Sequence, residues 1–66
     1  MRVTINGEER EVADELTVIT LLGALALPAE RVAIERNRDI LPRARWAATA
    51  VEPGDRYEIV QLVGGG

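Results

Sequence analysis

Apolar and polar residues alternate from Arg2 to Asn6, with Val3 and Ile5 on one face, the period of a half-buried strand. Asn6-Gly7 follows, a strong hairpin signal, because both central residues of a type I′ turn need positive φ. Glu8 to Ala13 then reads as the return strand. Its heavy charge suits a sheet edge, and Val12 is its main apolar anchor. The period changes after Asp14-Glu15. Val18, Leu21, Leu22 and Leu25 fall at i, i+3, i+4 and i+7, one stripe of a helix, and Thr17 is placed to cap its N-terminus. Leu27-Pro28 ends that helix, since the residue before a proline is pushed out of the α region. Gly23 lies inside the stripe, at a cost of about 1 kcal/mol relative to Ala. Tight packing of the helix on the sheet is the expected reason.

The second half is β-rich. Arg31 to Arg36 reads as a strand with Val32 and Ile34 facing one way, and Asn37-Arg38-Asp39 as a turn. Ile40-Leu41 is a very short strand stopped by Pro42, and Pro42 to Trp46 a loop or single helical turn with Trp46 as core anchor. Pro53-Gly54 marks a type II turn before a last strand, Arg56 to Val63. The order ββαβ(β)β with one helix is an α+β layer architecture. A central last strand, parallel to the first, with the helix across one face, gives a β-grasp roll with a mixed sheet of four to five strands. Residues 1–63 would form this single domain, followed by a flexible tail, 64–66.

Composition narrows the chemistry. In 66 residues there is no Cys, His, Ser or Lys, and all eight basic residues are Arg. Disulfides and thiolate metal sites are excluded, together with most nucleophiles and the usual general base of enzymes. The net charge of −3 argues against a nucleic-acid surface, which needs a basic stripe. The start lacks the apolar core of a secretory signal, and no apolar run approaches the 18 or so residues that span a bilayer. A cytoplasmic protein that binds neither membrane nor nucleic acid is expected.

Three of the six glycines close the sequence as Gly64-Gly65-Gly66. Such a tail extends roughly 10 Å, at about 3.3–3.6 Å per residue, and is slender enough for a channel in another protein. Its terminal carboxylate is ionised at neutral pH and a poor electrophile, so acyl transfer would require activation, as by adenylation with ATP. The sequence has no GxxxxGK[ST] or GxGxxG cradle, which assigns nucleotide chemistry to a partner enzyme. The chain would be substrate and carrier, and no side chain is expected to be catalytic or to bind a metal.

The segments VAIERNRDILPRARW (32–46) and EPGDRYEIV (52–60) and the ending VGGG closely resemble the ThiS sulfur carriers of thiamin biosynthesis, which are ubiquitin-like β-grasp proteins. The resemblance implies that a ThiF-type adenylyltransferase activates the Gly66 carboxylate with ATP and Mg²⁺. Sulfur from a cysteine desulfurase system then converts it to a thiocarboxylate, and a ThiG-type thiazole synthase takes the sulfur. The family's diglycine falls on Gly65 and Gly66, with Gly64 before it. A MoaD-like molybdopterin synthase subunit, a ubiquitin-like modifier and a TGS-type RNA-binding module are the competing readings. The free glycine end and acidic balance count against the last.

Alternation along the last strand separates Tyr57 and Ile59, expected to face the helix, from Val60 and Leu62, expected on the open sheet face as an apolar partner patch leading to the tail. Arg36, Arg38, Arg43 and Arg45 form a locally basic stretch, most simply a solvated face.

Overall fold

The computed structural model describes residues 1–62. Its elements are β1 (Arg2–Ile5), β2 (Glu8–Glu11), α1 (Val18–Ala24), β3 (Val32–Arg36), β4 (Asp39–Ile40) and β5 (Arg56–Gln61), with 3-10 segments at Ala29–Arg31 and Arg43–Ala48. The sheet order is β2-β1-β5-β3-β4. The last strand lies at the centre, parallel to β1 and antiparallel to β3, as the β-grasp reading requires. The charged return strand β2 is an edge, and it stops at Glu11, two residues short of expectation.

Both hairpins turn in the same way. Asn6 and Gly7 have φ of 50° and 82°, and Asn37 and Arg38 have 51° and 75°, the positive pairs of type I′ turns. Each asparagine also reaches the central strand. The Asn6 amide donates to the Ile59 carbonyl (3.1 Å) and accepts from the Ile59 N–H (2.7 Å), continuing the ladder after β1 has turned away. Asn37 Oδ1 accepts from the Arg56 N–H (2.9 Å), and the Asn37 N–H donates to the Arg56 carbonyl (2.8 Å). Two side chains thereby clamp β5 from opposite flanks. The third turn is type II in character: Gly54 has φ of 84°, and the Asp55 N–H closes onto the Glu52 carbonyl (3.1 Å).

Helix α1 is capped as the sequence predicts. Thr17 accepts from the Thr20 N–H, and the Thr20 hydroxyl accepts from the Thr17 N–H, so a threonine completes the capping box in place of Glu. Val18, Leu21 and Leu22 are buried, while Leu25 is half-buried at the C-cap. The helix ends three residues before the Leu27-Pro28 stop. Leu27 N–H donates to the Leu22 carbonyl and Ala26 N–H to the Gly23 carbonyl (3.0 and 3.1 Å), the paired bonds of a Schellman motif. The left-handed position usually given to Gly holds Ala26, at φ 57°. The expectation for Gly23 is overturned. It is exposed, and a Cβ built there meets nothing within 4 Å, so packing on the sheet does not require a glycine.

The core lies between the helix and one sheet face: Val3 and Ile5 of β1, the helix stripe, Val32 and Ile34 of β3, Tyr57 and Ile59 of β5, with Trp46 and Val51 from the connecting segment. Trp46 is buried, and its indole N–H donates to the Leu41 carbonyl (2.9 Å). The 3-10 segment is tied to the helix side through the Val18 N–H to Thr49 carbonyl and Val51 N–H to Leu16 carbonyl bonds (3.0 and 2.8 Å). It leaves the opposite sheet face open.

Candidate functional site

Among the described residues, Asp55, just before β5, is the buried charged side chain. Its carboxylate accepts from the Glu52 N–H (2.9 Å), the Tyr57 hydroxyl (2.8 Å), the Asn37 amide (3.2 Å) and Arg36 Nε (3.0 Å). Burial alone would raise its pKa. The Glu52 N–H, Tyr57, Asn37 and Arg36 outweigh that and hold the carboxyl below the ordinary Asp value. Burial, reinforced by the bond to Asp55, pushes the Tyr57 hydroxyl up to about 12. This network fixes where β5 begins, Asn6 fixes its middle, and the β3 ladder carries the register to Gln61 opposite Val32. The strand's far end is therefore held in register against β3. There the Leu62 N–H donates to the Arg31 carbonyl (2.6 Å).

Alternation sends β5 side chains to opposite faces as expected. Tyr57 and Ile59 are buried, at 1% and 7% exposure, while Val60 and Leu62 are open, at 60% and 49%. The structure adds two members that periodicity did not supply. Ala33 pairs with Val60 across β3 and β5, and Ile40 pairs with Glu35 across β3 and β4, so both stand on the open face. Ile40 is 79% exposed. Its two-residue strand has no period of its own, and only pairing with β3 reveals its face. Opposed apolar residues on an uncovered sheet mark a contact surface.

Two shallow grooves cross this surface. One, of about 200 Å³, is lined by Ala33, Ile34, Glu35, Ile40, Glu58 and Val60. The other, of about 420 Å³, runs beside Leu62 between β3 and the start of the 3-10 segment, where Ile40, Leu41, Pro42, Arg43 and Trp46 wall it. The Arg43 guanidinium lies over the Trp46 ring, 5.4 Å from its centroid.

The basic stretch is not one face. Arg36 turns inward to Asp55, and Arg38 sits in the β3–β4 turn, at the end of the sheet away from Leu62. Arg43 stands at the Leu62 end. Gly64, Gly65 and Gly66, the expected tail and reactive tip, lie outside the described residues, as does Val63. Among the described residues no group of three or more Asp or Glu is placed to hold a metal ion. No described helix is long and apolar enough to cross a membrane.

Comparison with known proteins agrees with this geometry. The ThiS family's sequence profile matches residues 3–66. The crystal structure of a thiamine biosynthesis protein (ThiS) from Geobacter metallireducens superposes with a TM-score of 0.86 at 40% identity, over the whole of both chains. The sulfur carrier protein ThiS of Escherichia coli is 32% identical over the full length of both. A thiazole synthase of Paramagnetospirillum magneticum is 47% identical over all 66 residues, and the chain spans 20% of that protein's length. A family profile over nearly the whole sequence, and a ThiS structure that superposes along all of it, place this β-grasp chain in the ThiS family.

Proposed function

We propose that the chain is a cytoplasmic sulfur carrier for thiazole formation in thiamin biosynthesis, a protein substrate and not an enzyme. A ThiF-type adenylyltransferase, using ATP and Mg²⁺, forms an acyl-adenylate on the Gly66 carboxylate with loss of pyrophosphate. The persulfide of a cysteine desulfurase system displaces AMP to give an acyl disulfide, a partner thiol cleaves its S–S bond and is itself oxidised to a disulfide, and the thiocarboxylate released passes its sulfur to a ThiG-type thiazole synthase. Gly64 and Gly65 thread the partner's channel, and Val60 and Leu62 seat the domain against it. Matching of this chain to one fifth of a thiazole synthase supports that partnership, since the carrier fold occurs within the synthase's own length.

The observation that carries the reading is the uncovered apolar patch of Ala33, Ile40, Val60 and Leu62, held at the end of the doubly clamped central strand. A surface of this kind docks a domain while the residues beyond it remain available for chemistry. The test is ATP–pyrophosphate exchange catalysed by a purified ThiF-type adenylyltransferase, with this chain as the carboxylate that accepts the adenylyl group. Exchange should require the chain, and Leu62→Glu should raise its KM while the variant unfolds as cooperatively as wild type. Absence of exchange with wild type would refute the reading. Loss of cooperative unfolding in Leu62→Glu would place that side chain in the core instead.

A further inference from the structure

The open face carries charge in a definite order. Glu35 and Glu58 are a directly opposed cross-strand pair, exposed, and flanked by Ile40 and Val60. Like charges so placed repel, and among the described residues neither carboxylate has a cationic partner within 4.0 Å. Arg56, exposed on the same face two residues before Glu58, precedes this pair, so along β5 the charge runs positive, then negative, and toward the strand's end positive again. Arg31 offers its carbonyl to the Leu62 N–H, and Arg43 shares the larger groove with Leu62. Both guanidinium groups are exposed, and neither has a carboxylate within ion-pair distance among the described residues. Glu30 shares the short turn with Arg31, so among the described residues Arg31, Arg43 and Glu30 together carry one positive charge. Trp46 holds Arg43 in place by stacking, which lowers the entropic cost of using it in a contact. The apolar floor is continuous with both charged groups, since one groove joins Glu35 and Glu58 to Val60 and the other joins Leu62 to Arg43.

We propose that this sequence of charge is a docking register read by the adenylating enzyme. The partner presents carboxylates around the mouth of its tail channel, against Arg31 and Arg43. Farther from that mouth it presents a cationic side chain, whose aliphatic stem lies on Ile40 and Val60 and whose head sits between Glu35 and Glu58. Docking the wrong way round would oppose like charges at both ends, so the register aims residues 63–66 into the channel. The apolar patch gives contact area, and the charges select the orientation. The proposal rests on the carrier reading above and concerns how that partner is recognised.

The test measures KM and kcat for this chain in ATP–pyrophosphate exchange with the ThiF-type adenylyltransferase, at low salt and at about 1 M salt, where the screening length falls to about 3 Å. The Arg31→Glu/Arg43→Glu double variant and Glu58→Arg should each raise KM about ten-fold or more at low salt, with kcat little changed, because they remove binding and not chemistry. At high salt the gap to wild type should narrow. Arg43→Lys should keep most of the affinity, and Arg38→Glu, the same charge change in the far turn, should stay close to wild type. Reversals that leave KM unchanged while wild type exchanges normally would overturn the register and leave the carrier reading intact. An equal loss from Arg38→Glu would reduce the effect to net charge, and an equal loss from Arg43→Lys would assign it to the stack on Trp46; either overturns the proposal. No exchange with wild type would remove the carrier reading, and the register with it.

Discussion

Helix α1 carries a glycine where alanine belongs and an alanine where glycine belongs, so exchanging the two should stabilise the domain without changing its composition. Gly23 is helical and exposed, with open space where its Cβ would go. Gly in a helix interior costs about 1 kcal/mol relative to Ala, and Gly23 is the last residue but one, so Gly23→Ala should gain roughly 0.5–1 kcal/mol. Ala26 is held at φ 57°, the left-handed region, by its N–H bond to the Gly23 carbonyl and the neighbouring Leu27 to Leu22 bond. That conformation costs an L-residue about 1–2 kcal/mol, and the greater freedom of glycine in the unfolded chain returns about 0.4–1 kcal/mol of it. Ala26→Gly should therefore gain roughly 0.5–1 kcal/mol. Together the exchanges amount to about 1–2 kcal/mol. In a domain of this size that raises Tm by roughly 4–16 °C, at about 4–8 °C per kcal/mol. Thermal unfolding followed by far-UV circular dichroism, with urea titration for ΔG, measures both single variants and the double. The residues share a hydrogen bond, so the double-mutant cycle also reports their coupling. A destabilised Gly23→Ala would show that something occupies the space a Cβ needs. A destabilised Ala26→Gly would show that the cap is not under conformational strain. Exchange activity should be unchanged in all three variants, because the helix covers the sheet face opposite the proposed docking surface.

The Asp55 network gives a pH signature. A folded carboxyl held below its ordinary value contributes stability above the ordinary carboxylate range, and this is lost as pH falls through the folded pKa. Asp55→Asn should cost about 2–4 kcal/mol at pH 7. That is less than the 3–5 kcal/mol typical of breaking a fully buried pair, because the Arg36 side chain keeps 27% of its exposure. Its urea-midpoint profile should be flatter than wild type as pH falls through and below the ordinary Asp range of about 4; an unchanged acid limb would show that other carboxylates set it. Asn6→Gly preserves the turn's positive φ and deletes the amide clamp, so a loss of about 1–3 kcal/mol isolates the two bonds to Ile59, and a neutral result would show that the clamp is dispensable.

Much of the fold was legible because it is local. The Asn6-Gly7 turn, the Thr17 cap, the helix stripe and the alternation of Tyr57 and Ile59 with Val60 and Leu62 each follow from a few adjacent residues. What escaped depends on distant partners. Asp55 and Arg36 look like solvated charges until β3 and β5 bring them together across 19 residues. The exposed position of Ile40 follows from its pairing with Glu35, and the basic stretch splits because its members lie on different elements. Ala26 escaped because a left-handed cap is recognised by glycine, and here the glycine stands three residues earlier. Of the candidate site, Val60 and Leu62 were readable from alternation, whereas Ala33, Ile40 and the two charged pairs required the sheet order.

The carrier reading puts all of the chemistry on the Gly66 carboxylate. Intact-mass and fragment spectrometry after incubation with ATP, a ThiF-type enzyme, a cysteine desulfurase sulfur source and a thiol reductant tests this. A mass gain equal to exchanging one oxygen for sulfur is expected, confined to the fragment that contains Gly66 and abolished when the Gly66 carboxylate is blocked as its amide. A gain on any other fragment, or the same gain in the amide, would rule the carboxylate out as the site.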